Sequence, residues 1–365
     1  MNPGILDASP TSENSNARPK RESRLLAGLF GSPGKTAQTI FFIAILFWMM
    51  PPLVQWAVFD AVFLSVDPES CRQTTGACWS FIRVKLGQLL LGIYPFEERW
   101  RPSIVCALIL VLLIWSVRPS SWTRALGAIW FCSLAMVFWL MGGGAGLKPV
   151  DSSLWGGLPV TLILTVVAIG LGFPLGVLLA LGRRSELPVL RTACVVFIES
   201  IRGLPLLSIL FVASIMLPLF LPEALLPDKF VRALVALTLF ASAYFAEVIR
   251  GGLQAIPKGQ FEAAASLARP YAKTQLLIIL PQAIRIVIPA LANTVIVMIK
   301  NTSLVLVVGL FDLISSGKAA LADPAWPSPA AETYLFIGAI FFTISFGFAR
   351  FADFLESRNQ AATSR

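Results

Sequence analysis

Charged and polar side chains are concentrated at a few places inside otherwise apolar stretches of this sequence. Glu199 and Arg202 are three residues apart, so on a helix they share one face. Lys300, Asn301, Thr302 and Ser303 form an unbroken polar patch about halfway through an apolar segment, and Asn293 lies about two turns earlier. Such groups are costly in hydrocarbon and usually face protein or water. Arg202 or Lys300 offers a partner to a carboxylate, and Glu199 offers one to an ammonium group. The alternative is that the charges pair with one another, or brace neighbouring subunits. Glu247 and Arg250, also one turn apart, fit structural support better than ligand contact.

No residue set for covalent, acid–base or metal chemistry accompanies these groups. The chain of 365 residues contains no histidine, which excludes Ser-His-Asp and Cys-His triads, HExxH zinc sites and His-ligated haem. Its five cysteines have no CxxC or metal-ligand spacing, so no catalytic or metal residue is assigned. GSPGKT at 31–36 resembles a phosphate loop only superficially: the glycine required five residues before Gly34 is Leu29, and no strand precedes it.

The elements that must hold these residues are membrane spans. Hydrophobic residues make up 56% of the chain and charged ones only 13%, about half the share usual in soluble domains. Mean hydropathy is +0.78. The net charge of +9 is read as a topology signal, because the basic residues lie between apolar runs; no nucleic-acid partner is expected. Eight apolar segments stand out, at 37–65, 102–117, 125–146, 156–181, 192–222, 230–249, 287–311 and 333–350. Segment 192–222 is too long for one straight span and holds Pro205 and Pro218, which predicts a break after an amphipathic lead-in near 189–200. Pro174 predicts a kink in the fourth span, and the Gly172–Gly176 spacing allows close helix approach, read as packing within a dimer. Trp48, Trp56, Trp100, Trp122 and Trp155 read as interface anchors.

With the N-terminal tail inside, 18 of the 29 Lys and Arg residues fall on the inner side, eight fall outside, and Arg202, Arg232 and Lys300 lie within spans. The bias puts both termini in the cytoplasm. The outer loop 66–101 then carries Cys71 and Cys78, in a compartment that permits a disulfide; bridged and unpaired thiols both stay open. FIRVKLGQLLLGIY (81–94) is too charged to span and is expected at the membrane interface.

The inner loop, about 250–286, is far longer than a connection between spans requires. Pro257 and Gly259 mark a turn, residues 262–268 favour a helix, and Pro270 and Pro281 punctuate the rest of the loop. This predicts a short helix, a turn and a second helix on the inner surface. It either packs on the membrane face or docks in a groove of a cytoplasmic partner.

Glu262-Ala263-Ala264, position 268, Ile278 and Leu280-Pro281 match the EAA loop of ABC importer permeases, EAA-x3-G-x9-I-x-L-P, at six of seven fixed positions. The departure is Ala268, where the family usually has glycine. GLPVTLILT (157–165), ESIRGLPLL (199–207), YFAEVIRGGLQAIPKGQ (244–260) and KNTSLV (300–305) resemble the polar amino-acid uptake subfamily. The preceding block, with its cysteine loop and YPFEERWRP (94–102), resembles the M-type permease of general L-amino-acid transporters of Gram-negative bacteria.

The resemblance implies an all-α integral membrane protein of about eight transmembrane helices. A five-helix permease core at 155–355, with its coupling loop at 250–286, comes after a three-helix block at 37–146; 1–36 is a disordered tail and 356–365 a C-terminal tail. It implies a multi-pass bacterial inner-membrane subunit that imports L-amino acids. Its implied partners are a second similar permease, two cytoplasmic ATPases, a periplasmic binding protein and membrane lipid. The chain itself binds no cofactor, and the partner subunits use ATP. Gly259, Glu262, Ala263, Ala264, Ala268, Leu280 and Pro281 then form the ATPase contact, and Glu199, Arg202, Asn293, Lys300, Asn301, Thr302 and Ser303 are candidates for the path. A stand-alone secondary transporter predicts internal repeats, and none stands out. A lipid-modifying membrane enzyme predicts clustered acid–base or metal groups, which the sequence lacks.

Overall fold

The computed structural model describes residues 28–123 and 125–363. The expected tail over 1–36 lies mostly outside them, but its last residues do not: α1 (Pro33–Val54) already starts at Pro33. Ser32 caps it by accepting a hydrogen bond from Lys35 N at 3.3 Å, and proline suits the first helical position, where its missing N–H has no partner to lose. The other end is also helical where a tail was expected, since the last helix runs through Thr363.

The chain divides into two compact units. One runs to Ala61 and takes in Thr74–Ala77. Here α1 continues into a wider turn over Gln55–Phe59, and the chain is tied back by Ala77 N donating to Trp56 O at 2.8 Å and Thr74 Oγ1 to Asp60 O at 2.7 Å. None of the residues of α1 is buried.

The second unit holds all the remaining elements. These are α2 (Pro68–Arg72), α3 (Trp79–Leu91), α4 (Trp100–Ser116), α5 (Ala125–Gly142), α6 (Gly157–Gly182), α7 (Pro188–Gly203), α8 (Leu206–Phe211), α9 (Leu217–Phe220) and α10 (Lys229–Ala255). After them come α11 (Lys258–Ser266), α12 (Tyr271–Thr274), α13 (Leu280–Ile286), α14 (Ile288–Asn301), α15 (Leu313–Leu321) and α16 (Ala330–Thr363). The expected boundary at 146 is absent: α4 packs on both α5 and α6, and α3 packs on α6, α15 and α16. Segment 81–94 is therefore no free surface helix. Phe81, Ile82 and Leu89 of α3 are buried in protein.

Among the described residues, seven helices are long and apolar enough to cross a membrane, and α7 with α8–α9 forms a bent pair that makes eight. The bend is 104° and falls between Gly203 and Leu206. Its cause is local: Leu204 precedes Pro205, whose ring disfavours a helical conformation there, and Leu204 is extended at φ −102°, ψ 139°. The same rule ends α10, where Ile256 before Pro257 is extended at φ −74°, ψ 126°.

The seam of this unit is α6 against α10. A Cβ on Gly172 would lie 2.9 Å from Ala241 Cβ, and one on Gly176 would lie 2.6 Å from Phe245 Cβ and 2.9 Å from Ser242 O. The two glycines thus serve contact inside the chain, not packing within a dimer. α6 stays helical through Pro174. Gly252 plays the same part for α13, as its Cβ would lie 2.6 Å from Ala283 O. Trp155 is buried rather than at an interface, with its ring edge-on to Phe230 at 5.1 Å. Trp100 and Trp122 are exposed.

Candidate functional site

The long inner loop folds as a helix, a tight turn and a second helical stretch. It is shorter than the predicted 250–286, because α10 continues to Ala255 and keeps Glu247 and Arg250 helical. Extended Ile256 and Pro257 re-aim the chain into α11. In α11, Ala264 is buried while Glu262 and Ala263 are exposed. Ala268 has φ +50°, the left-handed conformation that a Cβ disfavours, which explains the preference for glycine at this position of the motif. Arg269 N donates to Ala264 O at 3.3 Å and closes the turn.

The loop is anchored at its base and open at its tip. Arg184, just after α6, donates to Leu253 O at 3.1 Å and lies over the Phe261 ring at 5.5 Å. Gln282 Nε2 donates to Gln260 Oε1 at 3.2 Å and to Ile278 O at 2.8 Å, joining α11 to α13. Leu280 is buried and Pro281 exposed. Leu267 and Tyr271 at the turn, and Leu276 and Leu277 beyond it, are more than half exposed. Gly259 makes no close approach that requires glycine.

Beside this loop, five charges from three helices meet. Arg183 lies just after α6, Glu199 and Arg202 lie on α7, and Glu247 and Arg250 lie on α10. Arg183 reaches Glu199 at 2.9 Å and Glu247 at 3.3 Å, and Arg250 pairs with both Glu247 oxygens. Arg202 is held more loosely, 3.5 Å from Glu247 and 4.0 Å from Glu199, with its guanidinium 5.8 Å from the Tyr244 ring centre. Its Nε is buried without a hydrogen-bond partner among the described residues. Three arginines against two carboxylates leave one positive charge uncompensated.

The second polar group marks the point where α14 tightens. Asn301 ends the α-helix, and Thr302–Val308 continues as a 3₁₀ helix. Thr302 is buried and donates to Ile299 O at 2.7 Å, and Ser303 donates to Lys300 O at 2.7 Å. Both hydroxyls are therefore occupied by their own backbone. Asn293 and Lys300 are exposed and seven residues apart, so they share one open face of α14; Asn301 is half-buried.

At the other end of the chain Cys71 and Cys78 form a disulfide. Nearby, Lys85 Nζ contacts Asp323 Oδ2 at 2.5 Å. That hydrogen bond, together with the Ala325 N–H, holds the Asp323 carboxyl below its ordinary range. Asp312, which sequence reasoning did not single out, is fully buried. Its Oδ1 accepts from Ser315 N at 2.8 Å and Ser315 Oγ at 2.5 Å to cap α15, while Oδ2 has no partner among the described residues. Burial pushes its carboxyl up against those hydrogen bonds. A lone Asp before LISSG carries an N-cap signal in the sequence, but nothing there reveals its burial.

Residues 172–360, which include the loop, the bent pair and α14, match the family described as the binding-protein-dependent transport system inner membrane component. The chain is 46% identical over 334 residues to the inner membrane amino-acid ABC transporter permease protein YhdY of Escherichia coli (strain K12), covering 90% of each chain. The chain belongs to this family. It is an amino-acid ABC transporter permease, a multi-pass protein of the inner membrane. The permease is also 34% identical to the glutamate/glutamine/aspartate/asparagine transport system permease protein BztC of Rhodobacter capsulatus, over 90% of this chain and 92% of the relative. A shorter relative, the probable glutamine ABC transporter permease protein GlnP of Bacillus subtilis, is 35% identical and aligns 93% of its own length with 56% of this chain.

Proposed function

We propose that this permease is the membrane subunit of an ATP-driven importer of L-amino acids, and that it hydrolyses nothing itself. It forms the translocation path with a second, similar permease. Two cytoplasmic ATPases drive the pair, a periplasmic binding protein delivers substrate, and both termini face the cytoplasm. The chain binds no cofactor in this reading, and ATP is used by the partners.

The observation that carries the reading is the construction of the 258–281 loop. Its base is fastened to α6, α10 and α13 through Arg184, Phe261 and the Gln260–Gln282 pair. Its tip presents Leu267 and Tyr271 to a partner. A push on such a lever is transmitted to α6 and α10 and not lost in a flexible loop. Gly259, Glu262, Ala263, Ala264, Ala268, Leu280 and Pro281 make up the coupling segment.

The path residues in this reading are Glu199, Arg202, Asn293, Lys300, Asn301, Thr302 and Ser303. Arg202 is the best placed to meet a substrate carboxylate, because its neighbours hold it without a close hydrogen bond. Asn293 and Lys300 supply an open polar face on α14. The four amino acids in the name of BztC are the first substrates to test.

The experiment is ATP-dependent uptake of labelled amino acids by the reconstituted complex. Glu262→Lys is expected to leave ATP hydrolysis running while uptake falls at least tenfold. Unchanged uptake would remove the coupling assignment. Arg202→Gln is expected to raise the substrate concentration needed for half-maximal uptake, and normal affinity with normal flux would assign Arg202 to structure.

A further inference from the structure

GlnP completes nearly all its length within little more than half of this chain, so the additional residues call for a role of their own. Residues 72–85, which precede the 172–360 stretch that matches the family, grip the turn between α15 and α16. Arg72 Nη2 donates to the carbonyls of Pro324 and Ala325, at 3.2 and 3.1 Å. Cys78 N donates to Oε1 of buried Glu332, in the first turn of α16, at 2.8 Å. Lys85 pairs with Asp323. The buried rings of Phe81 and Trp326 meet edge-on at 5.3 Å.

These contacts enclose a small apolar core separate from the main one, built from Cys71, Cys78, Phe81, Ile82, Leu89 and Trp326 with Ala320. The turn makes few bonds of its own: Pro324, Pro327 and Pro329 lack N–H donors, and the N–H groups of Ala325 and Trp326 reach back only to Asp323. The disulfide fixes Arg72 and the Cys78 N–H relative to each other, and both bind the turn.

We propose that the disulfide-tied segment from Cys71 to Lys85 is a clamp that holds the α15–α16 turn in place, and that opening the disulfide releases the turn. A dithiol reductant suffices: it supplies two electrons and two protons to make two thiols and is itself oxidised to a cyclic disulfide. The clamp rests on contacts within the chain. Only its exposure to an oxidising compartment rests on the proposed orientation.

Hydrogen exchange on the full-length permease in its complex tests this, tracking amides 320–332 with α6 and α10 as internal reference. The oxidised protein should protect this stretch. Dithiothreitol, and Cys71→Ser with Cys78→Ser, should each speed its exchange at least tenfold without changing α6–α10. Arg72→Ala keeps the disulfide and should speed it several-fold. Should the cysteine variant fail to assemble, the reduced wild type and Arg72→Ala still decide. Unchanged protection of 320–332 in these samples would overturn the clamp. A membrane-impermeant reductant on spheroplasts separates the two claims. If it opens the disulfide in inverted vesicles but not in spheroplasts, while dithiothreitol frees the turn in both, the clamp stands and the orientation falls.

Discussion

Ala268 occupies a left-handed turn position with a Cβ, at φ +50°. Such a residue sits about 1 kcal/mol above glycine in the same conformation. Ala268→Gly is therefore expected to raise resistance to thermal unfolding, with no loss of uptake if the turn geometry is kept. Asp312 gives a paired prediction. Asp312→Ala removes the cap of α15 and should cost about 1 kcal/mol. Asp312→Asn keeps an oxygen for Ser315 and removes the titratable group, so the pH dependence that this carboxyl adds to stability should vanish. The sign comes from the raised carboxyl. The folded state holds the proton more tightly than the unfolded one, so this group's contribution is full at low pH and fades as pH rises through the folded value. Thermal melts of the three proteins between pH 4 and 8 check both statements. The motif made Ala268 readable in advance as the odd position, where the family usually has glycine, but a helical turn and a positive φ both fitted the sequence. Asp312 was not readable: α6 packs beside it through Thr161 and Gly157, distant in sequence, and no local pattern records that.

At the scale of elements, the seam between α6 and α10 gives the sharpest contrast. Gly176→Val places side-chain atoms where Phe245 and Ser242 already lie and should cost about 1–3 kcal/mol, with loss of folded protein in detergent. Gly170, on the same helix with nothing within 4 Å of its Cβ position, should accept alanine without loss. The five-charge cluster behaves as one unit across α6, α7 and α10. Glu247→Gln leaves Arg183, Arg202 and Arg250 around one carboxylate, and its cost should fall between an exposed and a buried pair, about 1–3 kcal/mol, read by chemical unfolding.

Elements were legible where one local cause decides them. Apolar runs gave the spans, and Pro205 gave the bend. The ends of α10 and α16 were not legible, because charged residues there continue as helix once paired or solvated. The role of α3 was missed for a related reason. Arg83 and Lys85 make it look like a surface helix, while its other face is buried against α15 and α16. Trp155 was misplaced likewise, since an aromatic residue near a span end fits both an interface and a packed ring cluster.

On the scale of the whole molecule, one chain presents a loop anchored at its base with an exposed tip, open polar positions on α14 and a helix, α1, with no buried residue. In the proposed reading, each of these meets something outside the chain. The family explains why, because an importer permease is one part of an assembly. This level was legible in the sequence through the spaced residues of the loop, not through composition, which gave only a membrane protein. The division of the chain was less legible: a boundary at 146 suits the spacing of apolar runs, whereas α4 and α5 join the body of the permease through contacts distant in sequence.

The central claim is that this permease works only with partners that use ATP. Its most direct test is to purify the tagged protein from native membranes in gentle detergent, identify its companions by mass spectrometry and reconstitute what is recovered in liposomes. The account predicts a second permease and an ATPase in fixed proportion, with amino-acid uptake that stops when ATP is withheld. Recovery of the chain alone, still carrying amino acids without ATP, would contradict it.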